Sequence, residues 1–330
     1  NNNGYYMKKK IFAILIMGIV LVACLVGCND KLGKIQISAG SDNSLATLIL
    51  TDICFDGTPA DTVREKMITK MVNDGIGSGN TKDEYEFIAI TGNMVNCEDN
   101  GKVMKKAAEF IDSFGIPWAM SIGERDVKGK TNKKGIINIL TDKSLKNSLV
   151  MRGDSYDYNY CLEVVKSDKK VNNLFYFLDT SVPCDDKLVD WYRNVTKNKS
   201  FSYADVQGKL INSHIFMNRA LPIFEENANK TYEVKPWAKS DDLQKAIFSM
   251  DSTKSIIAGF DEYTNGARFN SDKGVHIAYV KSMYFNSSMT GDNYKKQADY
   301  AGCSYQKFGS STVYLSTKSY SPENYKNDIS

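Results

Sequence analysis

Two periods of apolar and polar residues alternate along this chain. After a polar, Gly/Ser-containing stretch over residues 29–45, the apolar run Leu48-Ile49-Leu50 predicts a buried strand ending at Thr51-Asp52. From Asp61 to Val72 the spacing changes: Val63, Met67, Ile68, Met71 and Val72 recur as one face of a helix. Phe87–Thr91 is again continuously apolar, a second buried strand. Val103, Met104, Ala107, Ala108, Phe110 and Ile111 then predict a helix closed by Gly115 and Pro117. Trp118–Ile122 is the third strand. Strand, helix, strand, helix, strand in this order predicts a mainly parallel sheet with helices on its faces.

Further strands are expected at Tyr158–Val165, Leu174–Asp179, Leu210–Met217, Ser255–Gly259, Val275–Val280 and Thr312–Leu315. Few helical stretches separate them, so the second half reads as richer in hairpins. A two-sheet sandwich flanked by helices accommodates both halves. No internal repeat, low-complexity tract or clean boundary divides residues 46–330, which are expected to form a single domain. In open α/β sheets, sites form in loops beyond the C-terminal ends of strands. Asp52, Asn93 and Glu124 fall at such ends.

The N-terminal pattern is different in kind. From Met7 the chain reads Lys8-Lys9-Lys10, an apolar run from Ile11 to Val26, and Leu25-Val26-Gly27-Cys28. A basic segment, a short apolar segment and a small residue before a cleavage point make a secretory signal. The cysteine directly after the small residue makes it a bacterial lipoprotein signal, with Cys28 as the lipidated residue. Leu21-Val22-Ala23-Cys24 is a second possible lipobox, but polar sequence begins only at Asn29, which favours Cys28. An uncleaved anchor is the alternative; about sixteen apolar residues are short for a membrane span. Residues 1–27 are therefore expected to be upstream residues and signal, and 28–45 a lipid-anchored tether. The domain is then expected outside the cytoplasmic membrane, held there by lipid.

The formal charge of the chain is +3. Removing the three signal lysines leaves basic and acidic residues balanced, which argues against nucleic acid as a partner. Cys54, Cys97, Cys161, Cys184 and Cys303 are scattered without any C-x-x-C, so no zinc ribbon or redox motif is written here. Buried small hydrophobes are the expected role for most of them, with one disulfide possible in an exported protein.

Four short segments carry the candidate chemistry: Thr51-Asp52-Ile53-Cys54, Thr91-Gly92-Asn93, Gly123-Glu124-Arg125-Asp126 and Gly259-Phe260-Asp261-Glu262. They resemble the metal-binding motifs of calcineurin-like metallophosphoesterases, which read D-x-H, G-D, G-N-H-D/E and G-H-x-H. The pieces Leu48–Gly57, Phe87–Asn96, Gly115–Asp126, Leu174–Thr180, Asp190-Trp191, Leu221-Pro222 and Ile256–Asn265 extend the likeness over most of the chain. Within that family they look most like the purple acid phosphatase 29-like group of bacteria and plants. The resemblance implies a four-layer α/β/β/α sandwich of two mixed β-sheets. It also implies a dinuclear metal site, where two divalent cations activate a water and clamp the phosphoryl oxygens.

Carried over position by position, the resemblance keeps Asp52 as the first metal ligand and puts Cys54 where the family has His. Asn93 replaces the bridging Asp, Glu124 the motif Asn, and Arg125 the His that assists the leaving group. Asp126 keeps the acidic position that orients that His. The mid-chain His falls near Asn218, with His214 four residues too early, and the last His pair becomes Phe260 and Glu262. His276, inside a predicted strand, reads as a structural histidine.

Three readings follow. In the first, no catalytic set is intact and the chain is a pseudo-phosphoesterase that binds a ligand without dinuclear hydrolysis; Arg125 then pairs with one or two of Asp52, Glu124, Asp126 and Glu262 as a fixed cation. In the second, Asp52, Cys54, Glu124 and Glu262, with Asn93 and Asn218 as neutral donors, hold a single divalent cation (Mg, Ca or Mn) near Asp52 and support altered phosphoester hydrolysis. In the third, a surface-anchored module binds a glycan or peptide through Tyr156, Tyr158 and Tyr160, alternating on one strand. An ordinary sheet face is the competing role for those tyrosines.

Overall fold

The computed structural model describes residues 34–36, 44–76, 84–166, 168–207, 211–223, 237–259, 268–270, 274–284, 301–309 and 315–321. Cys24, Cys28, Phe260 and Glu262 lie outside them. Among the described residues no helix is long and apolar enough to cross a membrane.

Leu45–Leu50 (β2), Ala60–Asp74 (α1), Phe87–Ile90 (β3), Asn100–Asp112 (α2) and Trp118–Met120 (β4) follow the expected alternation. β2, β3 and β4 run parallel, and Gly302–Phe308 (β12) and Ser316–Ser319 (β13) extend this sheet antiparallel beyond β2. The second sheet is built from Lys34–Gln36 (β1), Asp154–Tyr156 (β5), Asn159–Val165 (β6), Val171–Phe177 (β7) and Asn212–Met217 (β8). Thr253–Ala258 (β9), Arg268–Asn270 (β10) and His276–Tyr279 (β11) complete it. Its order is β1-β6-β7-β8-β9-β11-β10, with β5 paired to β6. Both sheets are mixed, as the sequence predicts.

The second half departs from the expectation of hairpins. Asp186–Gln207 (α4) connects β7 to β8 and Asp241–Phe248 (α5) connects β8 to β9, and both strand pairs are parallel. A parallel pair cannot be closed by a tight turn, so a crossover helix is required. Lys133–Leu140 (α3) is a further helix that periodicity had not picked out. Residues 28–45 are also more than a tether, because β1 pairs parallel to β6 and buries Ile35. Of the strand expected at Thr312–Leu315, only Leu315 is described, just before β13.

Side-chain alternation explains why the large sheet needs helices on one face and the other sheet on the opposite face. Along β7, Phe175 and Phe177 enter the core between the sheets, while Leu174 and Tyr176 join the core beneath α4 and α5. β8 repeats the pattern with Phe216 inward and Ile215 and Met217 outward. On the helix side, Leu188, Val189 and Tyr192 of α4 and Leu243, Ala246 and Ile247 of α5 complete the packing. Between the sheets, Phe216 stacks on Phe177 at 4.8 Å, and Phe308 of β12 meets Phe175 at 4.7 Å.

His214 points into this seam rather than toward any site. It is fully buried, edge-on to Phe175 and Phe308, and its ring nitrogens reach Ser255 Oγ at 2.8 Å and Asn173 Oδ1 at 3.1 Å. His276 is buried within β11. The three tyrosines do not share one strand, because the chain turns at Asp157-Tyr158 between β5 and β6. Tyr160 is buried with its hydroxyl donating to Met120 O at 2.7 Å. Tyr156 donates to Asp185, and Tyr158 sits beneath the Lys133 ammonium. The five cysteines are all free thiols among the described residues.

Burial lowers the pKa of His214 from 6.5 to about 3, so the folded state holds it neutral. The stability tied to this group is complete above the unfolded value and is lost as pH falls from about 6.5 toward 3. At about pH 5 this amounts to about 2 kcal/mol, which urea unfolding should resolve and which His214→Gln should remove from the pH dependence.

Candidate functional site

Loops from both sheets meet at one rim of the sandwich. β2 leads into Thr51–Cys54, β3 into Thr91–Asn93, β4 into Gly123–Asp126, β8 into Asn218-Arg219 and β9 into Gly259. The two sheets are tied there by direct bonds: Ser121 Oγ donates to Phe216 O at 2.8 Å and Thr180 N to Ile122 O at 3.0 Å. Met283, following β11, donates its amide to Thr51 O at 3.0 Å. The approach is close enough that Gly259 admits no side chain. A Cβ there would lie 2.0 Å from Thr51 Oγ1 and 2.3 Å from Thr91 Oγ1.

Asp52, Cys54 and Asn93 all adopt positive φ, at 48°, 55° and 52°. Such a conformation is uncommon for non-glycine residues, and more so away from Asn and Asp; it persists where surroundings impose it. The surroundings are visible. Asp52 N donates to Gly92 O at 3.2 Å and Cys54 N to Asn93 O at 3.0 Å, so the first two loops are zipped together.

A buried carboxylate locks the third loop to them. Asp126 Oδ2 accepts from Asn93 N and Gly123 N, both at 2.9 Å, and Oδ1 accepts from Val95 N at 3.0 Å. Burial pushes its pKa up to about 7, opposed by these backbone amides. Asp126 was expected to orient the group at position 125; its oxygens instead organise backbone.

Asp52 lies at the centre of a second cluster. Its Oδ1 accepts from Asn93 Nδ2 at 2.7 Å and from Asn218 Nδ2 at 3.4 Å, and its Oδ2 from Thr51 Oγ1 at 3.1 Å. The Asn93 carboxamide is oriented at both ends, because its Oδ1 accepts from Arg125 N at 3.0 Å. Asn218 Oδ1 is buried without a hydrogen-bond partner. Cys54 is buried beside this cluster, and burial followed by the Asp52 charge pushes its thiol well up, against the opposing pull of Arg125.

Of the pairings expected for Arg125, the one with Glu124 does not form, and Glu262 lies outside the described residues. Arg125 reaches Cys54 Sγ at 3.9 Å and lies over the Tyr284 ring at 5.2 Å. Glu124 bonds Arg219 through Oε2 and Lys128 through Oε1 at 2.5 Å, so its partners are these two and not Arg125. The hydrogen bond from Lys128, helped by Arg219, holds its carboxyl below the usual range. Arg219 is the residue that sequence reasoning missed. Its only signal is an arginine next to Asn218 at a strand end.

Arg125, Arg219, Lys128 and Glu124 line a cleft of about 480 Å³, with Asn93 at its inner side. The structure thus brings together Asp52, Cys54, Asn93, Arg125 and Asn218, and turns Glu124 across the cleft. His214 is not among them.

No family model matches the chain, and comparison with curated protein sequences finds no match. Among solved structures, a dimetal phosphatase from Danio rerio superposes with a TM-score of 0.52 at 10% identity, covering 85% of this chain and 100% of that one. TT1561 of Thermus thermophilus aligns at 7% identity over 84% of this chain and 99% of that one, with a TM-score of 0.42, too loose to carry an argument. At such identities the likeness establishes fold: the chain has the fold of the metallo-dependent, calcineurin-like phosphatases.

A pair of divalent cations does not suit this donor set. Among the described residues, Asn93 supplies a neutral amide, its oxygen accepting from Arg125 N, at the position where the resemblance expects the bridging carboxylate. The Arg125 guanidinium stands beside the Cys54 thiol, a fixed positive charge next to the candidate ligands.

The Asp126 lock gives a clear expectation. In Asp126→Asn an amide nitrogen would face backbone N–H groups that now find an acceptor, leaving buried donors unmatched. Urea unfolding should show a loss of about 2 kcal/mol.

Proposed function

We propose that this chain is an extracytoplasmic, lipid-anchored protein that uses the dimetal-phosphatase fold to hold a phosphoester-type oxyanion on fixed cations, without dinuclear hydrolysis. The observation that carries this reading is the doubly bonded carboxamide of Asn93. It donates to Asp52 and accepts from Arg125 N, a neutral group held at both ends where the resemblance expects the bridging carboxylate. Among the described residues, the cleft beside it offers Arg125, Arg219 and Lys128 against the carboxylate of Glu124. Guanidinium groups hold oxyanions through paired donors and add affinity without exchangeable ligand positions.

Isothermal calorimetry with manganese, zinc and iron tests the absence of a dinuclear centre. The expected outcome is no tight uptake of two metals per chain, and two-site stoichiometric binding overturns the reading.

One observation favours a second reading. Asn218 Oδ1 is a buried oxygen without a partner beside the Asp52 carboxylate, which is donor chemistry suited to a single magnesium, calcium or manganese ion. Assay of mono- and diester panels separates the two readings. Metal-dependent turnover abolished by Asp52→Ala supports an altered hydrolase; no turnover in either protein supports the binding protein.

The anchor rests on the sequence signal ending at Cys28. Metabolic labelling with a radioactive fatty acid should mark the wild-type chain in a bacterial host and leave Cys28→Ser unlabelled. Label retained in Cys28→Ser and lost in Cys24→Ser would move the anchor to the earlier cysteine.

A further inference from the structure

Among the described residues, Glu124 is the one carboxylate lining the cationic cleft, and its position within it is informative. It belongs to the loop after β4, while Arg219 follows β8 in the other sheet, so their contact spans the rim where the two sheets meet. Its other oxygen takes Lys128, four residues on. One carboxylate therefore bridges two cations from different parts of the fold, in the manner of a bound oxyanion.

The three partners differ in freedom. Arg219 is the most enclosed, with 21% of its side chain exposed, against 38% for Glu124 and 63% for Lys128. Glu124 can leave by rotating outward, whereas Arg219 stays with its strand end. Val182, Pro183 and Trp237 add apolar surface to the lining. Val182 is 42% exposed, and Trp237 Nε1 donates to Val182 O at 2.6 Å. Lys128 and Arg219 keep Glu124 ionised at neutral pH, so the seat between them is filled by charge in the free protein.

We propose that Glu124 is a built-in competitor for the ligand: its carboxylate occupies the oxyanion seat between Arg219 and Lys128, and binding displaces it. This rests on the reading of the cleft as an oxyanion site and adds a selectivity rule to it. A ligand carboxylate replaces one carboxylate with another and gains little. A dianionic group with three oxygens can engage both cations and Arg125 together, so displacement favours it. The Val182 wall favours an oxyanion carried on an apolar body over the bare ion.

The test uses the full chain with inorganic phosphate, phenyl phosphate and acetate as probes, read by calorimetry and by tryptophan fluorescence. Glu124→Gln keeps the shape but removes the competing charge, and should tighten phosphate binding about tenfold, with Glu124→Asp between it and wild type. Phenyl phosphate should bind better than phosphate, and acetate worst, in the wild-type protein. Arg219→Gln should abolish binding in either background.

Unchanged or weaker phosphate binding in Glu124→Gln, while Arg219→Gln still loses it, overturns the competitor role and leaves the oxyanion site standing. No binding of either phosphate by wild type or Glu124→Gln overturns both.

Discussion

The rest of the structure depends on the aromatic seam between the two sheets. Phe175, Phe177 and Phe216 from one sheet and Phe87 and Phe308 from the other interdigitate at centroid separations of 4.7 to 6.3 Å. Each such pair adds about 0.5–1.5 kcal/mol beyond the area it buries. More important than the sum is the alignment. With both sheets fixed face to face, the C-terminal ends of β2, β3, β4, β8 and β9 reach the same rim. There Ser121 can bond Phe216 O, and Asn218 can reach Thr51 and Asp52 across the sandwich. The site is a consequence of that registry.

At the rim, backbone and side chains give different messages. The backbone is tightly constrained: positive φ at Asp52, Cys54 and Asn93, a glycine too crowded to replace at 259, and three amides converging on Asp126. These features are costly and persist only where the fold over-determines them. The side chains within that frame satisfy one another through neutral hydrogen bonds. Asp52 is met by a hydroxyl and two carboxamides.

What the sequence made legible follows from the range of the interactions. β2 to β4 and their helices were readable because apolar periodicity is local. The α4 crossover had a comparable signal in Leu188, Val189, Tyr192 and Val195, yet polar residues dilute it over a long helix. β12 was invisible, since Gly302–Phe308 is mostly polar and is a strand only because it lies against β2. The site behaves likewise. Asp52 and Asn93 were placed by their strand ends and Asn218 by the resemblance, and the structure joins them. The partners of Glu124 and Arg125 were not legible, because the choice between Arg219 and Arg125 is made across sheets. The acidic role of Asp126 also shifted, since nothing in a linear motif shows whether a carboxylate faces a side chain or a set of amides.

The chemistry left to the cleft is set by what a fixed cation lacks. A metal ion both neutralises an oxyanion and lowers the pKa of a bound water to make a nucleophile. A guanidinium performs the first task and cannot perform the second, having no open coordination position and no titration near neutrality. Cys54 is held as a thiol, Asp126 is committed to backbone amides, and both oxygens of Asp52 already accept bonds. In the proposed reading, Arg125 and Arg219 therefore recognise an anion without themselves generating an attacking water.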